Sequence, residues 1–481
     1  MKLTKENKLE LFYSRDKSAN GKFITGVLTT GIYCLPSCTA RKPKPENIRF
    51  FDTEADAIEF GLRACKRCKP DLYYKNINPD EVLIDEAYSL IQNEPEKWGS
   101  IEIFSKYLKV GKTKLSKLFR DYYQTSFTSV LQKARIKKAR DLLLNSEMDL
   151  LEISELSGYD SSSSFHKNFR EITGLSPKEY RRLNTADSFT VKLPEDYRAD
   201  LLIRHHSWEG DGPDHELIVE DSTITITKAI TLTSSRFILK ITLEGSEAEC
   251  RILERSVGDP PMVEVHNIAQ KLLGLIVNPS PFETRVLANS KLAPLIKNRI
   301  GMRIPQTATL YEGIVWVIVG QAVSVAAAKS LRTKLIKLVN AGSDTILIYH
   351  PSPDEVSKLS IEDLRSCGFS YSKANYLLDI TGKILDKSLD MNSLHELNSV
   401  KLESELTSLR GFGPWSVNYL MMRCLGLVDC VPLGDTGLVA GLKAFFKLDH
   451  KPDRKEVVKL MERFAPFRSL ATFHLWMGLD D

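Results

Sequence analysis

Long apolar runs are missing from this 481-residue chain. No stretch of about 18 apolar residues occurs, and the polar start MKLTKENKLE lacks a charged-then-apolar signal. The expectation is therefore a cytoplasmic protein that neither spans a membrane nor is secreted. Cysteine is scarce as well. Eight cysteines in a chain this long are not a disulfide framework, and a reducing compartment keeps them as thiols. Cys250, Cys367, Cys424 and Cys430 have no ligand-like spacing and no nearby His, so they read as buried structural thiols. The chain also lacks a large charge of one sign: 66 Lys and Arg against 62 Asp and Glu leave a net +4. With 42% hydrophobic and 27% charged residues, it has the composition of a globular protein of roughly three or four domains.

The small net charge hides an uneven distribution. Residues 1–80 hold 15 Lys and Arg against 10 Asp and Glu, and residues 97–183 hold 17 against 10. Two basic modules in the front half are the footprint expected of a phosphate-bearing partner. The remaining four cysteines lie in the first of them, Cys34 and Cys38 as C-x₃-C and Cys65 and Cys68 as C-x₂-C. Four thiolates on two short-spaced turns can close a tetrahedron around one Zn²⁺, and metal binding would supply much of the folding energy of so thin a core. Short β-like runs are expected at Phe23–Leu28 and Ile48–Phe51, and a helix at Thr53–Phe60.

TTGIYC-x₃-C-x-AR followed by G-x-R-x-CKRCKPD closely resembles the metal-binding domain of the Ada family, bacterial sensors of methylated DNA. The resemblance implies that Cys34 takes a methyl group from a backbone methyl phosphotriester. It also implies that Cys34, Cys38, Cys65 and Cys68 hold the zinc while Arg41, Arg63 and Arg67 approach DNA. A purely structural zinc site is the alternative.

Residues 97–183 read as helices throughout: Ile101–Leu108, Lys112–Tyr122, a long Phe127–Leu144, Leu150–Ser157 and Ser161–Thr173. Two helix-turn-helix units on one connecting helix can lay two recognition helices in successive stretches of major groove. These helices carry Lys114 and Lys117 in the first unit, and His166, Lys167 and Arg170 in the second. The tail SGYDSSSSFHKNFREITGLSPKEYRR resembles the C-terminal signature of AraC-type regulators, which implies promoter DNA and RNA polymerase as partners.

Asn184–Ser188 reads as a linker and Gly210–Pro213 as a turn, within a region of strand-like alternation (FTVKL, ELIVED, STITITK, RFILKITL) that suggests an antiparallel sheet. Helices dominate from about residue 265. The apolar segment Thr309–Ile336 is broken at Gly320-Gln321, which makes two buried helices the better reading. LRGFGPWSVNYLMMR reads as a helix-hairpin-helix whose Gly411 and Gly413 let backbone N–H groups meet a DNA phosphate. Followed by CVPLGDTGL, it resembles the helix-hairpin-helix DNA glycosylases, and among them the AlkA-type 3-methyladenine enzymes, from about residue 190 to the end. The resemblance implies Asp435 as the catalytic carboxylate, with Gln321, Trp415, Tyr419 and Trp476 around a flipped base, and a monovalent cation at the hairpin. Trp415 stands where lyase-type relatives carry a Schiff-base Lys, which favours a monofunctional hydrolase. Ala322 occupies the position of a larger wedge residue, and no PCHR-type motif of an O⁶-alkylguanine methyltransferase is present.

The expected fold class is multidomain α+β. It comprises a zinc-binding α/β domain (1–78), an all-α double helix-turn-helix domain (79–183), and a glycosylase made of a sheet subdomain (188–264) and a catalytic domain (265–481). The chain is expected to be a monomer acting on alkylated and promoter DNA in the bacterial nucleoid. Two other readings stay open: a regulator whose glycosylase-like domain is only a DNA-binding platform, and a repair enzyme whose front half only docks on DNA.

Overall fold

The computed structural model describes residues 3–75, 77–209, 212–341 and 347–479. The chain divides into two compact units, Met1–Asn93 and Glu94–Asp481, so the first unit ends one helix beyond residue 78. Among the described residues, no helix is long and apolar enough to cross a membrane.

The first unit is built on a four-stranded sheet, β1 (Ile24–Val27), β2 (Ile32–Cys34), β3 (Ile48–Phe51) and β4 (Arg63–Ala64), in the order β3-β1-β2-β4. β1 pairs antiparallel with β2 and β3, while β4 runs parallel to β2. Ile24, Tyr33, Phe51, Ala57 and Leu62 form its small core. The helix Glu54–Glu59 is started by a Thr53/Asp56 capping box. In so small a unit burial is a weak source of stability, and Cys34, Cys38 and Cys65 form a buried cluster of their own.

The second unit opens with the two helix-turn-helix pairs, Ile101–Tyr107 with Lys112–Tyr123 and Leu150–Leu156 with Ser162–Thr173, on either side of the helix Phe127–Asn145. Side chains of Ser100, Ser126, Asp149 and Ser161 cap four of these helices, so the starts are written locally. Gly158 makes the turn of the second pair at φ 87°, and a Cβ there would sit 2.6 Å from the Glu96 Cα. Only glycine fits.

The linker expected at Asn184–Ser188 is instead a 3₁₀ turn, Arg182–Thr185, running straight into β5 (Ser188–Lys192). Its polar letters read as a spacer, but both flanks are buried in a common core. Phe165, Phe169, Tyr180 and Leu183 of the helical domain pack with Phe189, Val191, Phe237 and Leu239 of the sheet. The sheet adds β6 (His215–Glu220), β7 (Thr223–Thr231), β8 (Arg236–Glu244) and β9 (Glu247–Val257), ordered β5-β9-β8-β7-β6 with every pair antiparallel. The turn expected at Gly210–Pro213 lies partly outside the described residues, and a helix, Ala199–Glu209, precedes it.

The helix Met262–Leu272 fastens the sheet side to the second recognition helix, Ser162–Thr173. Its His266 Nε2 and Gln270 Nε2 reach the carbonyls of Thr173 (2.7 Å) and Ile172 (2.9 Å), groups that a helix end leaves without intrahelical partners. The long apolar segment forms two helices, Leu310–Gly320 and Val325–Val339. The hairpin helices Ser399–Ser408 and Pro414–Arg423, then Thr436–Phe445 and Arg468–Met477, pack with Ser280–Leu287, Tyr371–Leu385 and Arg454–Met461 around a large apolar core.

Candidate functional site

Two constellations carry chemistry, one in each unit. In the first, the sheet brings the cysteines together. Cys34 ends β2, and the Cys65 N–H donates to the Tyr33 carbonyl at 3.0 Å because β4 lies alongside. A tight turn places Cys38, whose N–H donates to Leu35 O. All four Sγ atoms lie within 4.8 Å of one another, and Cys38 and Cys65 are 4.0 Å apart. A tetrahedron with Zn–S bonds of about 2.3 Å has S–S edges of about 3.8 Å, so the donor set fits one Zn²⁺. Backbone N–H groups of Leu35 and Ala40 donate to Cys68 Sγ (3.4 Å) and Cys38 Sγ (3.5 Å), offsetting thiolate charge. Hydrogen bonds from Cys34, and then from Cys68, hold the Cys38 thiol far below its ordinary value. Bonds to Cys38 and Cys68, then burial, push Cys34 up. Cys34, Cys38 and Cys68 thus share protons that a cation would displace.

Cys34, Cys38 and Cys65 are buried at 5%, 3% and 6% exposure, whereas Cys68 is half-buried. Arg41, Arg63 and Arg67 are exposed around them, Arg67 donating to Thr39 O at 3.2 Å. Lys42 stands 3.5 Å over the Phe12 ring, and burial pushes its ammonium down to about 8. On the recognition helices Lys114, Lys117, Lys167 and Arg170 are exposed, while His166 turns back to Ser162 O at 2.8 Å.

In the second unit Asp435 is the N-cap of the helix Thr436–Phe445, its Oδ1 accepting from Leu438 N at 2.7 Å. Two indoles complete its shell: Trp476 Nε1 donates to Oδ1 (2.9 Å) and Trp415 Nε1 to Oδ2 (3.1 Å). Tyr419 stands between the same two rings, with centroids 5.5 Å from Trp415 and 6.0 Å from Trp476. The i, i+4 spacing of Trp415 and Tyr419 on one helix face makes this possible. The result is a half-buried carboxylate beside a tiled aromatic surface, suited to a flat, positively charged ring.

Trp316 was not foreseen. Its Nε1 donates to the Tyr419 hydroxyl at 2.9 Å and so orients the middle tile. Gln321 braces the hairpin, its Nε2 donating to Gly411 O (2.9 Å) and Ser416 Oγ (3.2 Å). Gly411 lies at φ 88° with Tyr376 packed where a Cβ would be, and Gly413 is exposed. Ala322 is exposed at a left-handed φ of 54°, next to Val323 and Val325, which are 41% and 58% exposed.

Tyr419 and Trp316 also line a small open cleft bounded by both the sheet and the helices. On its wall Lys228 and Arg332 are hydrogen-bonded to the buried carboxylates of Asp214 and Glu312. Burial alone would push Asp214 up, but the Arg332 and Lys228 cations outweigh it and hold it well below the ordinary carboxylate value.

Three family models match the chain: the metal binding domain of Ada over residues 7–71, a helix-turn-helix domain over 104–183, and the HhH-GPD superfamily of base excision DNA repair proteins over 315–466. A probable bifunctional transcriptional activator/DNA repair enzyme AlkA of Mycobacterium tuberculosis is 25% identical over 97% of this chain and 95% of its own length. The bifunctional transcriptional activator/DNA repair enzyme Ada of Escherichia coli is 29% identical over 37% of this chain and 49% of its own. A solved 3-methyladenine DNA-glycosylase from Archaeoglobus fulgidus superposes with a TM-score of 0.51 at 20% identity, covering 60% of this chain and 97% of that one, which fixes the fold. This chain unites an Ada-type zinc-binding domain, an AraC-type helix-turn-helix domain and an HhH-GPD glycosylase domain in a single polypeptide.

Proposed function

We propose that the chain senses and repairs alkylated double-stranded DNA. Asp435 hydrolyses the glycosidic bond of alkylated purines such as 3-methyladenine, and Cys34 irreversibly accepts a methyl group from backbone methyl phosphotriesters, raising affinity for promoter DNA. The observation that carries the reading is the Asp435 carboxylate, held by two indole N–H donors beside the Trp415–Tyr419–Trp476 surface. As the bond to a cationic purine breaks, positive charge grows on the sugar. A fixed carboxylate stabilises that charge without having to reorganise, while the leaving base needs little acid help. The aromatic faces favour cationic lesions over neutral bases. The exposed Val323, beside Ala322, takes the wedge role for which Ala322 is too small.

At the other centre, zinc when bound keeps the thiolates ionised at neutral pH. The Cys34 sulfur attacks the methyl carbon of the phosphotriester, an S–CH₃ bond forms, the C–O bond breaks, and a phosphodiester anion leaves. One thiolate becomes a neutral thioether, so the formal site charge moves from −2 to −1, which lessens repulsion from the DNA backbone. The exposed Arg41, Arg63 and Arg67 favour that encounter. One observation favours a second acceptor: Cys68 is the least buried of the four thiols.

Mass spectrometry after incubation with methylated DNA decides between them. A single CH₂ mass increment on the Cys34 peptide is expected; the increment on the Cys68 peptide would transfer the role. Release of 3-methyladenine from alkylated duplex should vanish in Asp435→Asn. Retained release would remove Asp435 from the reaction, and no release from the parent chain would favour the DNA-binding platform.

A further inference from the structure

The catalytic loop is held at its root by three successive backbone N–H groups, each bound to a side chain from a different part of the second unit. Val431 N–H donates to Asn418 Oδ1 (3.0 Å) on the second hairpin helix. Cys430 N–H donates to Ser469 Oγ (2.9 Å) on the last helix. Asp429 N–H donates to Gln124 Oε1 at 2.7 Å, and Gln124 belongs to the helix-turn-helix domain. It is the residue that ends the first recognition helix, Lys112–Tyr123, at a left-handed φ of 52°. The Asp429 carboxylate in turn grips Arg468 through Nε (2.6 Å) and NH2 (2.8 Å), at the start of the helix that carries Trp476. From this tripod the chain runs only to Gly434 before Asp435, with Asp435 N–H closing a turn onto Pro432 O at 3.0 Å.

Two of the three legs come from the glycosylase itself, and the third from the module that reads DNA. We propose that Gln124 is a positioning residue for base excision: the helix-turn-helix domain is a working part of the glycosylase site, because the end of its first recognition helix fixes the loop that presents Asp435. The inference rests on Asp435 as the catalytic carboxylate. It follows from local geometry, since a loop with three anchored amides has little freedom, and removing one leaves a partly buried N–H without its acceptor. Misplacing a catalytic group by a fraction of an ångström lowers the rate without altering the surface that grips the duplex.

The test uses the full chain with Gln124→Met, which keeps the length and removes the acceptor, and Gln124→Glu, which keeps an acceptor. Single-turnover release of 3-methyladenine from alkylated duplex is measured alongside duplex Kd and Tm. The expected result is a rate about three- to tenfold lower in Gln124→Met, the worth of one hydrogen bond. Kd should match the parent, Tm should fall by no more than a few degrees, and Gln124→Glu should restore most of the rate. Hydrogen exchange at the Asp429 amide should quicken in Gln124→Met. The proposal is overturned if Gln124→Met releases base at the parent rate, if its rate falls only in step with Kd or Tm, or if Gln124→Glu is no better. If the parent itself releases no base, the reading of Asp435 fails, and exchange across residues 429–435 decides the positioning claim by itself.

Discussion

Acid should unfold the second unit earlier than its carboxylates alone would. His266, His350 and His474 are 0%, 5% and 0% exposed. Burial first, and then a nearby arginine (Arg140, Arg332 and Arg299 respectively), pushes each below its ordinary value, His266 to about 3 and His350 to about 4. Neither nitrogen of His474 has a hydrogen-bond partner among the described residues, so a proton there would be a buried, unpaired charge. All three are neutral in the fold at every pH above about 5 and titrate near 6.5 once unfolded. Above that unfolded value they contribute nothing pH-dependent. As pH falls below it, the unfolded chain binds protons that the fold refuses, and stability is lost down to the folded value. Each histidine costs about 1.4 kcal/mol per pH unit, hence about 2 kcal/mol at about pH 5 and about 6 kcal/mol for the three together. That rivals the roughly 5–15 kcal/mol that holds a domain. The assay is proton uptake on urea unfolding at about pH 5, which measures the slope of stability against pH directly. His474→Leu should take up about one proton fewer than the parent. Equal uptake by the two proteins would refute the reasoning.

Trp476→Phe keeps an aromatic tile and removes one indole donor to Asp435. A hydrogen bond to a charged group is worth about 1.5–3 kcal/mol, so single-turnover base release should fall about tenfold or more; an unchanged rate would mean that the bond does not orient the carboxylate. Removing zinc with a chelator should make residues 3–75 protease-sensitive while the second unit stays protected, because the small core cannot replace about 10 kcal/mol of metal binding; a first unit that stays protected would make the cluster dispensable for folding. Val323→Ala should slow release from duplex but not from single-stranded alkylated DNA, since only the duplex leaves a gap to fill; equal slowing on both would deny the wedge role.

Legibility followed the range of the interactions. The Cys34, Cys38, Cys65 and Cys68 cluster was readable because each pair is close in sequence and thiolates at such spacing have few other uses. Asp435, Trp415 and Tyr419 were named through the resemblance of the hairpin and the loop after it to the helix-hairpin-helix glycosylases, and the fold brings the three side chains together. Trp316 did not, because within an apolar helix it looks like core packing until the Tyr419 hydroxyl is seen against it. β9 was hidden by charged residues on its outward face, and the helix Ala199–Glu209 by its polar, histidine-bearing letters. Gln124 carried no signal at all. Its partner is 305 residues away, and a polar residue after a recognition helix suggests only a cap.

The buried seam around Phe169, Tyr180, Phe189 and Val191 has a consequence for how such a chain can be dismantled or inherited. A deletion ending at residue 187 would leave the sheet with a bare apolar flank, and His266 and Gln270 with no carbonyls to reach. A descendant that discards its promoter-reading half must therefore re-cover that flank with polar residues, so gene loss at this joint demands several substitutions at once.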